Sequence, residues 1–319
     1  MMLVTHEAIQ DAARRLRDVA RLTPVIDVSE AACPLWLKCE NMQPVGAFKI
    51  RGAYNFMAQL AEDVLRRSVV TYSSGNHGQA VASAARSLGA SSVIVMPESA
   101  PAVKVAGARS FGAEVVFAGT TLLDRQARAE ELAATRSLTI VPPFDHPHII
   151  AGQGTVGLEI LQQCPGVATV VVPAGGGGLV SGIAAAVKSL RPDVRLIAVE
   201  PEGAAKMTVS LAAGHPVTLD RTASMADGLL AVRPGTLTFE HVRALVDEVM
   251  TVNESEIAET TVWLAERCKL IVEPSGAVAA AAVRRRAREG RPLQSAVVAI
   301  VSGGNISLEA LAKLRKSGT

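Results

Sequence analysis

Short apolar runs and helix-period segments alternate along most of the chain. Residues 5–21 place Ile9, Ala13, Leu16 and Ala20 on one helical face and stop before Thr23-Pro24. LWLKCE (35–40) reads as a strand, and Phe56, Leu60 and Val64 mark a helical face beyond the stretch GAFKIRGAYN (46–55). A regular rhythm then begins. SVVTY, SSVIVMP, EVVFAG and LTIVPP read as strands, separated by the helical segments QAVASAARSLG, PAVKVAGARSFG and LLDRQARAEELAATR. FDHPHIIAGQG (144–154) is expected to be a loop, after which the rhythm resumes. The helix TVGLEILQQC, the strand ATVVVPA, the helix LVSGIAAAVKSL and the strand RLIAVE follow. Residues 201–235 look irregular. Beyond them come the strand EVMTV, helices over 254–269 and after EPSGA (273–277), the strand AVVAIVSGG and a terminal helix ISLEALAKLRK. Parallel neighbours need long connections, so this order predicts parallel strands with crossover helices. Two such runs separated by a loop predict an α/β chain of two lobes with a cleft between them. No internal repeat is apparent.

Composition narrows the classes. In 319 residues, 49% hydrophobic and 19% charged content predicts a buried core rather than disorder. A formal net charge of +2 gives no reason to expect a polyanionic partner, and 3% aromatic content leaves few platforms for stacking bases. The basic run Arg284, Arg285, Arg286, Arg288 and Arg291 follows an apolar stretch and reads as the solvated end of a helix. Cys33, Cys39, Cys164 and Cys268 show neither CxxC spacing nor a histidine cluster, which argues against zinc and against a disulfide framework. The N-terminal segment lacks a signal-peptide core. The most apolar window, 167–187, is broken by Pro173 and four glycines, so no membrane span is expected.

Candidate chemistry lies in three strand-to-helix loops and one lysine. Gly175, Gly176, Gly177 and Gly178 form the strongest anion site, because side-chain-free residues let backbone N–H groups wrap a phosphate at a helix N-terminus. A P-loop would need Gly-Lys-Ser/Thr next, where Leu179 and Val180 stand. A dinucleotide fingerprint would need glycine at Val180, although Glu200 mimics its ribose-binding acid, so a nicotinamide enzyme is the first rival. SSGNHG (73–78) offers hydroxyls and an amide suited to a carboxylate, or an ordinary capping turn. SGGN (302–305) brings Ser302 to a third strand end. Lys49, between Phe48 and Ile50, taken alone reads as a snorkelling lysine.

Seven segments in order, FKIRGA (48–53), SSGNHGQAVA (73–82), IAGQGT (150–155), GGGGLVSG (175–182), ADGLLAVRPGTLTFE (226–240), EPSGA and SGGN, cover nearly the whole chain. Together they resemble the fold-type II pyridoxal-phosphate enzymes, in the branch of threonine/serine dehydratases and serine racemases. The resemblance implies two lobes, each a mainly parallel sheet flanked by helices, with the cofactor in the cleft. Residues 1–67 and 146–319 would form the large cofactor-binding domain and 68–145 a smaller mobile one. Lys49 would carry pyridoxal 5'-phosphate covalently, with Phe48 near its ring. The four glycines would hold the phosphate, Asn76 would meet the phenolic oxygen, and Ser302 the pyridine nitrogen. Ser73, Ser74, Gly75, Asn76 and His77 would bind the substrate carboxylate, with Ser74 on the face opposite Lys49. Lys49 and Ser74 are thus the implied catalytic pair. An apolar setting would ease loss of the Lys49 proton. A neutral serine at the ring nitrogen weakens the electron sink and favours prompt loss of a β-hydroxyl. The implied activity is dehydration and deamination of a small β-hydroxy amino acid, L-threonine or L-serine, to an α-keto acid and ammonia, in a cytoplasmic homodimer or homotetramer.

Related activities stay open. β-Replacing synthases of this fold resemble S/T-x-K-D-R and GNTG, whereas Lys49-Ile50-Arg51 and Asn76-His77-Gly78 stand here. A racemase needs a second proton carrier, which Ser74 could supply, but Phe144 stands where racemase-like relatives tend to carry asparagine. A 3-hydroxyaspartate dehydratase and a non-catalytic cofactor-binding regulator are the other readings. The chain ends shortly after Ser302, so the likeness is to short, catabolic forms without a regulatory domain. Several short relatives bind a divalent cation after the strand that ends here at Glu200. Glu200, Ala204 and Lys206 match those positions, and the lysine replaces a carboxylate. The expectation is that no metal is held and that the Lys206 ammonium pairs with Glu200.

Overall fold

Strands apolar on both faces form the centres of two sheets, as parallel strands covered by helices on each side must. The structure, a computed structural model, describes residues 2–30, 33–73, 75–100, 102–293 and 296–317. The strands are β1 Val25–Asp27, β2 Leu35–Cys39, β3 Val69–Thr71, β4 Ser92–Met96, β5 Glu114–Phe117, β6 Thr139–Ile140, β7 Thr169–Pro173, β8 Arg195–Pro201, β9 Glu248–Val252 and β10 Val297–Val301. Six of them form a sheet in the order β1-β2-β10-β7-β8-β9, and four form a second sheet, β5-β4-β3-β6. Among the described residues, the strand pairings within these two sheets are parallel except that of β1 with β2. Every residue of β3, β4, β7 and β10 is buried.

The helices are α1 His6–Arg15, α2 Lys49–Met57, α3 Glu62–Arg66, α4 Asn76–Ser87, α5 Ala102–Ser110, α6 Leu122–Arg136, α7 Pro147–Gln163, α8 Gly178–Leu190, α9 Lys206–Ala213, α10 Thr236–Leu245, α11 Glu254–Glu266, α12 Pro274–Arg288 and α13 Leu308–Ser317. Alternation of side chains divides the core of the larger sheet. Val171, Ile197 and Val199 face α11 and α12, while Val170, Val172, Leu196 and Ala198 face α8 and α10. Residues 275–283 of α12 are all buried, most of them alanine, so this helix lies close against β7, β8, β9 and β10. Its basic end is helical as expected but is engaged: Arg284 stacks 4.4 Å from the Trp263 ring centroid, Arg286 pairs with Glu248, and Arg288 with Glu259.

Two sequence expectations are corrected. Residues 147–154 are helix rather than loop, forming the first half of α7. Pro147 at the first helical turn gives up an N–H that would have had no partner, and the glycines of this half are set by packing rather than by turning. A Cβ on Gly152 would lie 2.6 Å from the Arg51 carbonyl oxygen, and one on Gly154 2.9 Å from Cδ1 of Ile9. Residues 201–235 contain α9 and two short 3-10 turns, Glu202–Ala204 and Asp227–Leu229. The short antiparallel β1 carries too little pattern over its length to be read from sequence.

Close packing of α7 on α8 gives a direct test. A Cβ on Gly182 would lie 2.3 Å from the Ile150 carbonyl oxygen and 2.5 Å from the Gly154 nitrogen, both backbone atoms that cannot swing aside. Helix propensity alone would favour alanine there by about 1 kcal/mol. The clash outweighs it, so Gly182→Ala should destabilise the protein by about 1–3 kcal/mol in urea melts, and an unchanged or higher midpoint would refute the close packing.

Candidate active site

Three loops leave the carboxyl ends of β3, β7 and β10, the edge at which open α/β sheets leave a crevice for ligands. The chain stitches them together. Phe48 N–H donates to the Ser302 carbonyl (3.1 Å), Gly304 N–H to the Gly46 carbonyl (2.8 Å), and Glu273 N–H to the Gly303 carbonyl (3.1 Å). Ala47 and Gly303 form an isolated antiparallel bridge. Lys49, the first residue of α2, is therefore fixed beside Ser302 at the end of β10.

The glycine loop is built for close approach. Gly177 has φ +100°, a conformation that costs a side-chain-bearing residue dearly. A Cβ on Gly176 would lie 2.4 Å from the Phe144 ring. The Gly176 carbonyl accepts from Thr238 Oγ1 (2.6 Å) and Gly235 N–H (3.2 Å), and Asp145 accepts the first N–H groups of α10, which carries Thr238. Among the described residues, the N–H groups of residues 175–178 have no acceptor, and α8 begins at Gly178. Four free donors at a helix N-terminus make an anion cradle.

Lys49 Nζ donates to the Pro143 carbonyl (2.7 Å) and sits 5.2 Å from the Phe48 ring centroid. Among the described residues it has no carboxylate partner. Burial without compensation pulls its pKa down from 10.5 to about 8. Phe48 is half-buried beside it. His77, at the start of α4, is buried with Nε2 3.1 Å from the Val141 carbonyl. Burial, and then the Lys49 charge, push its pKa down to about 3, so its ring is neutral. The Ser73 hydroxyl accepts from Gly75 N–H (3.3 Å) just before α4. Ser74 lies outside the described residues. Ser302 is buried and its hydroxyl donates to the Ser275 carbonyl (3.4 Å).

Asn76 reveals a residue that sequence reasoning passed over. Its Nδ2 donates to Glu273 Oε1 (2.5 Å) and its Oδ1 accepts from Asn305 Nδ2 (2.8 Å). Glu273 opens the EPSGA segment, and only its place directly before a helix proline hinted at a special position. Burial, with Asp227 adding to it, raises its carboxyl to about 7.

Beneath the site lies a buried charge network. Arg51, on α2 two residues after Lys49, donates Nε to Glu40 Oε2 (2.7 Å) and Nη2 to Glu40 Oε1 (2.8 Å). Its Nη1 reaches Glu159 Oε1 of α7 (2.6 Å), and Lys38 of β2 pairs with the same carboxylate (2.5 Å). Beyond the glycine loop, Lys206 Nζ stands 3.2 Å from Glu200 Oε1, both fully buried. The Ala204 carbonyl accepts from the same ammonium (2.9 Å).

Two measurements probe these arrangements. Arg51→Met leaves Glu40 buried without its bidentate partner and should cost about 3–5 kcal/mol in chemical melts. For Glu273, a carboxyl whose native pKa is raised stabilises the fold fully below its unfolded value and loses that contribution as pH rises. Its share of stability should therefore decline between pH 4.5 and about 7. Calorimetry of Glu273→Gln across this range should show that component of the Tm profile flattened; a profile parallel to the parent's would refute the assignment.

Residues 16–303 match the family model described as pyridoxal-phosphate dependent enzyme. The chain is 43% identical over 320 residues to the L-threonine ammonia-lyase of Geobacter sulfurreducens, covering 99% of this chain and 79% of that protein. The processed form of threonine deaminase isoform 2 from Solanum lycopersicum superposes with a TM-score of 0.93 at 36% identity, over 97% of this chain and 87% of that one. Maize serine racemase superposes with a TM-score of 0.92 at 37% identity, over 99% and 98%.

Proposed function

The chain belongs to the pyridoxal-phosphate dependent enzyme family, and on that premise we propose that it is an ammonia-lyase acting on a small β-hydroxy amino acid, L-threonine or L-serine first. The observation that carries this reading is Lys49: an unpaired amine with its pKa lowered to about 8, fixed beside Ser302 at the mouth of an anion cradle. The residues fit pyridoxal phosphate. Donors without acceptors at residues 175–178 suit its phosphate, and a Cβ on Gly176 would collide with Phe144. Lys49 would hold the cofactor covalently, Asn76 would meet its phenolic oxygen, Ser302 its ring nitrogen, and Phe48 would lie beside the ring.

Bound pyridoxal phosphate supplies an electron sink that makes the Cα proton of an attached amino acid acidic. Lys49 Nζ would take that proton as general base; with its pKa lowered to about 8, roughly a tenth of the amine is already unprotonated at pH 7, far more than for an ordinary lysine. Ser73, Ser74, Gly75, Asn76 and His77 receive the substrate carboxylate, and His77, held neutral, adds no charge there. The β-hydroxyl would leave as water, taking up the proton that Lys49 Nζ removed from Cα, so that the amine returns to its starting state. Hydrolysis of the released product regains water and yields the α-keto acid and ammonia. A hydroxyl at Ser302, rather than a carboxylate, favours this elimination over slower reactions of the carbanion.

In this reading residues 68–145, which hold the four-stranded sheet, close as a smaller domain over residues 1–67 and 146–319. The protein works as a homodimer or homotetramer in the cytoplasm; among the described residues no helix is long and apolar enough to cross a membrane. A second reading, amino-acid racemisation with Ser74 as the opposing proton carrier, is favoured by the likeness to maize serine racemase.

Purified holoenzyme should release keto acid from L-threonine or L-serine, and chiral analysis of residual substrate should show the L form predominating. Lys49→Ala should lose the visible cofactor absorbance and reduce turnover by about 10²–10⁴-fold or more. No keto acid from any β-hydroxy amino acid, or undiminished turnover in Lys49→Ala, would overturn the assignment.

A further inference from the structure

Lys206 opens α9 at the end where the helix dipole is positive, an unfavourable place for a cation. It is nevertheless wholly buried, as is Glu200 at the end of β8. Its three ammonium protons are accounted for: Nζ donates to the carbonyls of Ala174 (3.0 Å), Ala204 (2.9 Å) and Leu229 (3.1 Å). The Glu200 carboxylate, 3.2 Å away, balances the charge. Glu200 in turn accepts from Met207 N–H (2.8 Å), Thr208 N–H (2.9 Å) and the Thr208 hydroxyl (2.8 Å), anchoring the start of α9. All four oxygens around Nζ therefore point at one cationic centre drawn from four different segments.

Two of those segments belong to the cofactor side of the molecule. Ala174 directly precedes the glycine loop. Leu229 abuts it, since a Cβ on Gly175 would lie 3.3 Å from Leu229 Cα. The nest does not fit a metal ion as it stands. Its oxygens lie at ammonium distances, whereas calcium needs six to eight oxygens at about 2.3–2.6 Å and magnesium about 2.0–2.1 Å. A metal entering it would meet Nζ first. The expectation that Lys206 pairs with Glu200 thus extends to a wider arrangement of carbonyls.

We propose that Lys206 is a built-in cation that fastens the base of the glycine loop, so that the protein needs no inorganic cation there, and that replacing it by aspartate converts the nest into a divalent-cation site. Lys206→Asp would retain three carbonyls and Glu200 and add a second carboxylate. With water, that set reaches the coordination number of calcium. Lys206→Met removes the charge and supplies no ligand.

The test compares the three holoproteins in chelator and in millimolar calcium, reading Tm and cofactor retention by absorbance, neither of which depends on the substrate. Parent Tm and retention should be the same in both conditions. Both variants should lose about 5 °C or more of Tm in chelator and release cofactor more readily. Calcium should restore most of that loss in Lys206→Asp and none in Lys206→Met, and titration calorimetry should detect calcium binding only to Lys206→Asp. A parent whose Tm rises with calcium or magnesium and falls again with chelator would overturn the proposal. So would a Lys206→Asp protein indifferent to calcium, or one that stays insoluble when expressed and purified with calcium throughout.

Discussion

The position of Lys49 depends on a charge network that never touches it. Lys38, Arg51, Glu40 and Glu159 carry two positive and two negative charges in a nearly water-free space. They come from β2, α2, the turn after β2, and α7. Burial pushes the Glu40 carboxyl up, and the Arg51 guanidinium more than offsets it. Desolvating four charges is expensive, and a well-packed apolar cluster could equal them in stability. What apolar side chains would lack is direction. The bidentate fork of Arg51 fixes the rotation of the first turn of α2 and so aims Lys49 at the cleft.

Paired and unpaired ionisable groups divide the interior by role. The four-charge network and the Lys206 nest are compensated and hold segments in place. Lys49 and Glu273 have no opposite charge in contact among the described residues, and both are shifted toward neutrality, to about 8 and about 7. Both flank the crevice. Uncompensated burial is what lets a side chain exchange a proton under ordinary conditions, and here it occurs beside the strand-to-helix loops that form the crevice.

Most of the α/β rhythm was legible because parallel strands and crossover helices leave contrasting periods in the chain. The glycine loop could be named because four consecutive glycines stand at a strand-to-helix junction, whereas Lys49 and Ser302, weak signals alone, were singled out by the family resemblance. Order within the sheet was not legible: β10 inserts between β2 and β7, a choice made by packing among distant segments. The first half of α7 escaped because its glycines carry the composition of a turn while serving helix contact. Glu273 escaped because one sequence does not reveal which carboxylate is buried, and the depth of Lys206 was likewise invisible although its partner could be guessed.

Helix α12 has a consequence for how this protein can change over time. From Ser275 to Val283 every side chain is enclosed, and between Ala277 and Ala282 only Val278 exceeds alanine in size. Its neighbours are strands β7 to β10 and helix α11, all backbone-close. Drift along this helix is therefore limited by volume more than by chemistry, because an added methylene has no space to occupy and a polar atom no partner. The edge strand β5, by contrast, exposes Glu114 and Phe117, where added volume meets solvent rather than backbone. The helix behind the site is a stretch where genetic variation should be sparse, although no residue between Ala277 and Ala282 takes part in the reaction.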